Sequence, residues 1–160
     1  MADEYLSKLQ LATWRAFLEA FSSQNDQIDR DLADAGCVSI ASYDLLNALF
    51  EAPGTQLTAD ELLTQVLWKR RGINQQADRQ AFLRLIDSLV AEALIDRPLE
   101  DSLALTPSGK EAVEKAWPIY AQGVARYFSQ GMDEIETEHF EHSLHLMVQA
   151  VEKKAEPAEA

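Results

Sequence analysis

Lys69, Arg70, Arg71, Arg79 and Arg84 place five basic side chains within sixteen residues of a chain whose formal net charge is −13. Groups of this type at this density can neutralise phosphates and reach base edges. Gln75, Gln76 and Gln80 are interleaved with them, which is the polar surface a helix needs to enter a major groove. The same residues on a helix with nothing to bind would be a solvated face. For Arg84 a local ion pair with Asp87 is a further alternative.

Two other groups bear on chemistry. His139, His142 and His145 recur every third residue, with Glu138 and Glu141 between them. Each step of three turns a helix by 300°, so the rings fan over about 120°. Two could share a metal, but three converge poorly, and they read as surface histidines rather than a metal site. Cys37 is the lone cysteine and has no basic neighbour in sequence to lower its pKa, so a buried, inert thiol is expected. There is no Ser/His/Asp, Cys/His or HExxH arrangement and no glycine-rich phosphate loop. Neither an enzyme nor a cofactor is expected.

The charge distribution sharpens the first group. Residues 64–91 carry +3, whereas residues 1–63 and 92–160 carry −8 each. An acidic body with one basic segment is compatible with a screened nucleic-acid binder. No apolar run approaches the roughly 18 residues of a membrane span. The acidic start and the single cysteine suit a cytoplasmic protein.

The elements that would position these residues follow from periodicity. A long helix over 4–35 carries Leu6, Leu9, Trp14, Phe17, Phe21, Ile28 and Leu32 and stops at Gly36. Its aromatic first half has too little chain behind it to be covered by one copy. A second helix is expected over 41–52, ended by Pro53-Gly54. Thr58 and Glu61 form a capping box for a third, with Leu62, Leu63, Val66 and Leu67 inward. Asn74 can cap the fourth, whose buried stripe is Ala77, Phe82, Leu85, Ile86 and Leu89. Strands are expected at 94–97 and 103–105 with 98–102 as their turn. Thr106-Pro107 opens a helix to 128, kinked at Pro118, and Asp133 caps a last one. The tail KKAEPAEA is expected to fray.

A mostly α chain with this order is a winged helix-turn-helix with long terminal helices and a short β-hairpin wing. Here the sequence resembles the multiple-antibiotic-resistance regulator (MarR) family of bacterial transcription factors over about residues 5–150. The stretch LADAGCVSIASYDLLNALFEAPG is similar to the family's second-helix region, and Leu57-Thr58 with Glu61-Leu62 to its LT..EL start. FLRLIDSLVAEALIDR carries Arg84, Leu85, Asp87, Leu89, Leu94 and Arg97 at the family's positions, and LALTPSGKEAV is similar to its post-wing signature. The resemblance implies one domain over 1–160, a DNA-binding region at 40–106 and dimerisation helices at 4–35 and 107–152.

It further implies a homodimer on operator DNA, usually as a repressor, often released by a small aromatic ligand. Arg97 joins Lys69, Arg70, Arg71, Gln75, Gln76, Arg79, Gln80 and Arg84 as expected DNA contacts. Trp14, Tyr43 and Trp117 lie on elements bordering the family's ligand cavity; aromatics at helical spacing are otherwise plain core. Three features depart from the pattern. About nine residues are added around 68–77, the wing is shortened and lacks its acidic-Arg-Arg motif, and Ala93 replaces the usual glycine. An acidic winged-helix protein that acts on other proteins without binding DNA is the alternative.

Overall fold

The computed structural model describes residues 7–68, 75–99 and 101–155. The chain divides into two compact units, Met1–Gly123 and Val124–Ala160.

The first unit opens with α1 (Lys8–Asp34). Ser7 and Gln10 form its capping box: the Gln10 amide donates to Ser7 Oγ at 3.1 Å, and the Ser7 amide to Gln10 Oε1 at 2.8 Å. Gly36 takes the left-handed conformation (φ 64°) that ends the helix. The next helix, α2 (Ile40–Glu51), is tied back to α1 where the Ile40 amide donates to Asp29 Oδ1 at 2.7 Å. A turn at Pro53–Thr55 leads through β1 (Gln56–Thr58) to α3 (Ala59–Trp68) and α4 (Gln75–Ala91). Strands β2 (Ile95–Leu99) and β3 (Ser102–Leu105) follow, and then α5 (Pro107–Tyr127), with Pro118 inside an unbroken helical run.

The core is a leucine cluster. Leu32 of α1, Leu45, Leu46 and Leu49 of α2, Leu62 of α3, Ile86 and Leu89 of α4 and Ile95 of β2 are all fully buried. Each contributes about 1.5–3 kcal/mol by leaving water. Phe82, Ile86 and Leu89 supply the inward face of α4, so its other side is free to present polar groups. Leu85 is half-buried at the edge of that stripe. Side chains at Leu67 and Ala77 lie outside the described residues, as do Leu6 and Asn74.

The hairpin differs from the sequence expectation. Its two strands belong to a three-stranded antiparallel sheet in the order β1-β3-β2. β1 is three residues long and too short to show a period of two, so its pairing with β3 is legible only in three dimensions. The strands reach further toward the tip than expected: Pro98 and Leu99 lie in β2 and Ser102 in β3, not in the turn. Pro98 is accommodated because β2 is an edge strand with a register shift between Asp96 and Leu99.

In the second unit a turn at Ser129–Gly131 leads to α6 (Glu134–Ala155). Asp133 caps α6: the Glu136 amide donates to Asp133 Oδ1 at 2.8 Å, and the Asp133 amide to Glu136 Oε2 at 2.9 Å. Phe128 and Phe140 meet with ring centroids 6.0 Å apart.

Candidate nucleic-acid interface

The outward face of α4 follows from its inward one. At 100° per residue, Gln80 and Arg84 each lie about 200° from Phe82, on the side opposite the core. Both are exposed. Arg84 makes no hydrogen bond or ion pair among the described residues, so its guanidinium can be offered to a ligand. Arg79 sits on the flank instead, where its Nη2 is 3.3 Å from Asp60 Oδ1 of α3. That pair is well exposed and worth at most about 1 kcal/mol, so Arg79 can exchange it for a phosphate. Gln75 and Gln76 occupy the first turn of α4, but their side chains lie outside the described residues. Lys69, Arg70 and Arg71 lie outside them altogether.

Arg97 is likewise held in an exposed ion pair. From β2 it donates through Nη2 to Asp87 Oδ1 of α4 at 2.6 Å. Asp87 therefore pairs with Arg97 and not with Arg84, one helical turn from it. This bond joins the base of the hairpin to the outward side of α4. Leu83 lies one turn before Asp87 on the same flank and is exposed, an apolar side chain there that charge-based reasoning overlooked.

The turn into the hairpin is built from three residues. Ala93 is left-handed (φ 58°), and the Leu94 amide donates back to the Leu89 carbonyl at 2.9 Å. Thr106 Oγ1 donates to the Ala93 carbonyl at 2.7 Å and accepts the Gly109 amide at 2.9 Å. Gly109 admits no side chain, since a Cβ there would stand 2.1 Å from the Leu94 carbonyl oxygen. The T-P-S-G sequence is thus a backbone docking device between the end of α4 and the start of α5.

At the start of α3, the Thr58 amide donates to Glu61 Oε2 at 2.8 Å and the Glu61 amide to Thr58 Oγ1 at 3.2 Å. The backbone bond from Thr58, then the hydroxyl bond, holds the Glu61 carboxyl below the usual carboxylate range.

The three aromatic candidates are divided. Tyr43 of α2 stacks on Tyr120 of α5 at 4.8 Å, and Trp117 meets the same Tyr120 at 6.4 Å. Burial, then Tyr120, Asp44 and Glu51, push the Tyr43 phenol up to about 12. Trp14 stacks on Phe17 of its own helix at 6.0 Å. No ring contact among the described residues joins Trp14 to the other two. Tyr120, the hub of the cluster, was not singled out from the sequence because one tyrosine in a helical stripe looks like any other.

His139, His142 and His145 line one groove on α6 with Glu138 and Glu141. No group of three or more His, Cys, Asp or Glu among the described residues could hold a metal ion. Cys37 corrects the expectation of burial. It is half-exposed just after the Gly36 exit, its Sγ 3.9 Å from the carbonyls of Ala35 and Lys115.

A helix-turn-helix packed against a three-stranded sheet defines a winged-helix protein. Comparison with solved structures narrows the class. AbsC, a MarR family transcriptional regulator from Streptomyces coelicolor, superposes with a TM-score of 0.78 at 18% identity, covering 94% of this chain and 99% of that one. Sco3205, a MarR family regulator of the same organism in complex with DNA, gives 0.74 at 21%, covering 98% and 94%. A MarR family protein of Mycobacterium tuberculosis, Rv2887, in complex with salicylic acid, gives 0.57 at 16%, covering 83% and 95%. No protein-family model and no curated protein sequence matches the chain. The chain has the MarR-type winged-helix fold.

Proposed function

We propose that this protein is a DNA-binding transcriptional regulator, a cytoplasmic repressor that reads its operator with α4. The carrying observation is the outward face of α4, where Gln80 and Arg84 stand opposite the core on a fold shared with a regulator solved on DNA. Arg84, Arg79 and Arg97 supply phosphate or guanine contacts, joined by Gln75, Gln76, Gln80, Lys69, Arg70 and Arg71; the exposed Arg97–Asp87 pair, like Arg79–Asp60, can be exchanged for a phosphate.

The working unit is a homodimer. In the first unit α1 exposes Leu9, Leu11, Trp14, Leu18 and Phe21, and in the second α6 exposes Ile135, Leu146, Met147 and Val148. Apolar residues of this size at helical spacing are stabilised by covering them, and a second copy does so. A small aromatic effector fits the Tyr43–Tyr120–Trp117 cluster, with Trp14 as a further candidate contact.

Titration of a fluorescent promoter or random duplex at several salt concentrations tests the reading. Affinity should fall steeply with salt, as counterion release requires. Absence of binding at low salt would overturn it. The net charge of −13 favours a second reading, an acidic module that engages other proteins; that outcome would leave it standing.

A further inference from the structure

One large apolar side chain on α4 stands outside its buried stripe. Three residues advance a helix by 300°, so Leu83 lies about 60° around the axis from Gln80 and roughly 4.5 Å along it. Arg84 follows one residue, about 1.5 Å, further along. Leu83 is 41% accessible, and among the described residues it is the only exposed large hydrophobic on α4. The inward stripe of Phe82, Ile86 and Leu89 is complete without it. A lone exposed leucine is ordinary on a solvated surface. This one has exposed Gln80, Arg84 and Asp87 as its neighbours within a turn, on the helix that carries the groove-facing polar groups.

The floor of a major groove offers a leucine one partner. Adenine, guanine and cytosine present donors and acceptors there, whereas thymine adds a C5 methyl beside its O4. Gln80 suits the edge of adenine and Arg84 that of guanine. Neither can use a methyl group, but Leu83 can, because contact removes apolar surface of both partners from water. Base pairs stack about 3.4 Å apart. Along a helix laid in the groove, Leu83 and Arg84 therefore address the same base pair or adjacent ones.

We propose that Leu83 is a specificity-determining residue that reads a thymine methyl in the major groove, beside the base contacted by Arg84. The proposal rests on the DNA-binding reading above. It gives α4 a means of telling thymine from other bases that its charges and amides do not supply.

The test uses the full chain and a labelled duplex that it selects from a random pool. Each thymine of that duplex is replaced in turn by uracil, which removes the methyl and keeps the hydrogen-bonding edges. One such replacement in each half-site should weaken binding about fourfold, the worth of one apolar carbon. Leu83→Ala should bind the thymine and uracil duplexes equally at that position, with an unchanged circular dichroism spectrum because Leu83 lies outside the core. Leu83→Gln, which keeps the length of the side chain and removes its apolar end, should do the same. Equal binding of every uracil duplex by the native chain overturns the proposal and leaves DNA binding intact, as does a preference for thymine that persists in both variants. If no duplex is retained at low salt, both fall.

Discussion

Two backbone positions next to α4 behave oppositely under substitution. Ala93 occupies a left-handed conformation that costs a non-glycine residue about 1 kcal/mol. Ala93→Gly is therefore expected to raise unfolding free energy by up to about 1 kcal/mol, after the added entropy of glycine in the unfolded chain is offset. A lowered urea midpoint would refute this. Gly109→Ala drives a methyl into the Leu94 carbonyl and should cost about 3 kcal/mol or more. Tyr43 gives a pH signature. Its phenol holds its proton to about pH 12 in the folded chain but only to about 10 when unfolded. Its contribution is fully present below pH 10 and is lost as pH rises from 10 through 12. Urea midpoints measured across pH 9–11.5 should fall more steeply in the native chain than in Tyr43→Phe.

At the scale of elements, the caps decide where helices start. Thr58→Ala removes the acceptor for the Glu61 amide and one bond to its carboxylate, and should destabilise the chain by about 1 kcal/mol. The Glu61 carboxyl is held low, so its contribution is present above its unfolded pKa and disappears as acid takes the pH down through its folded pKa. The difference between wild type and Thr58→Ala should accordingly shrink in acid, as thermal melts at pH 7 and pH 3 would show. The same logic made T-A-D-E and the cap at Asp133 legible as helix starts. β1 and the full length of the hairpin were not, because three residues have no periodicity of their own and a proline in an edge strand reads as a turn.

At the scale of the molecule, aromatic and aliphatic side chains are exposed on α1 within the first unit and on α6 within the second, and covering them with a second copy is stabilising. Light scattering at micromolar concentration should return about twice the 17.9 kDa chain mass. A value near one chain mass would refute the homodimer. Phe21→Glu places a charge on that face of α1 and is expected to shift the mass toward one chain while circular dichroism stays unchanged.

The helical periodicities, the Thr58–Glu61 capping box and the order of the helices were determined by sequence, because each depends on local pattern. The basic segment was also legible as a charge count. What only tertiary structure decided is how those charges are used. Arg79 and Arg97 are drawn to Asp60 and Asp87, which lie on other elements, while Arg84 is left facing outward. β1 pairs with β3, and the Asp101 carbonyl accepts the Ala59 amide, so the hairpin is fastened to the start of α3. Pairings between residues far apart in the chain leave no local pattern, so the fold was readable in advance and the pairing of the charges around α4 was not.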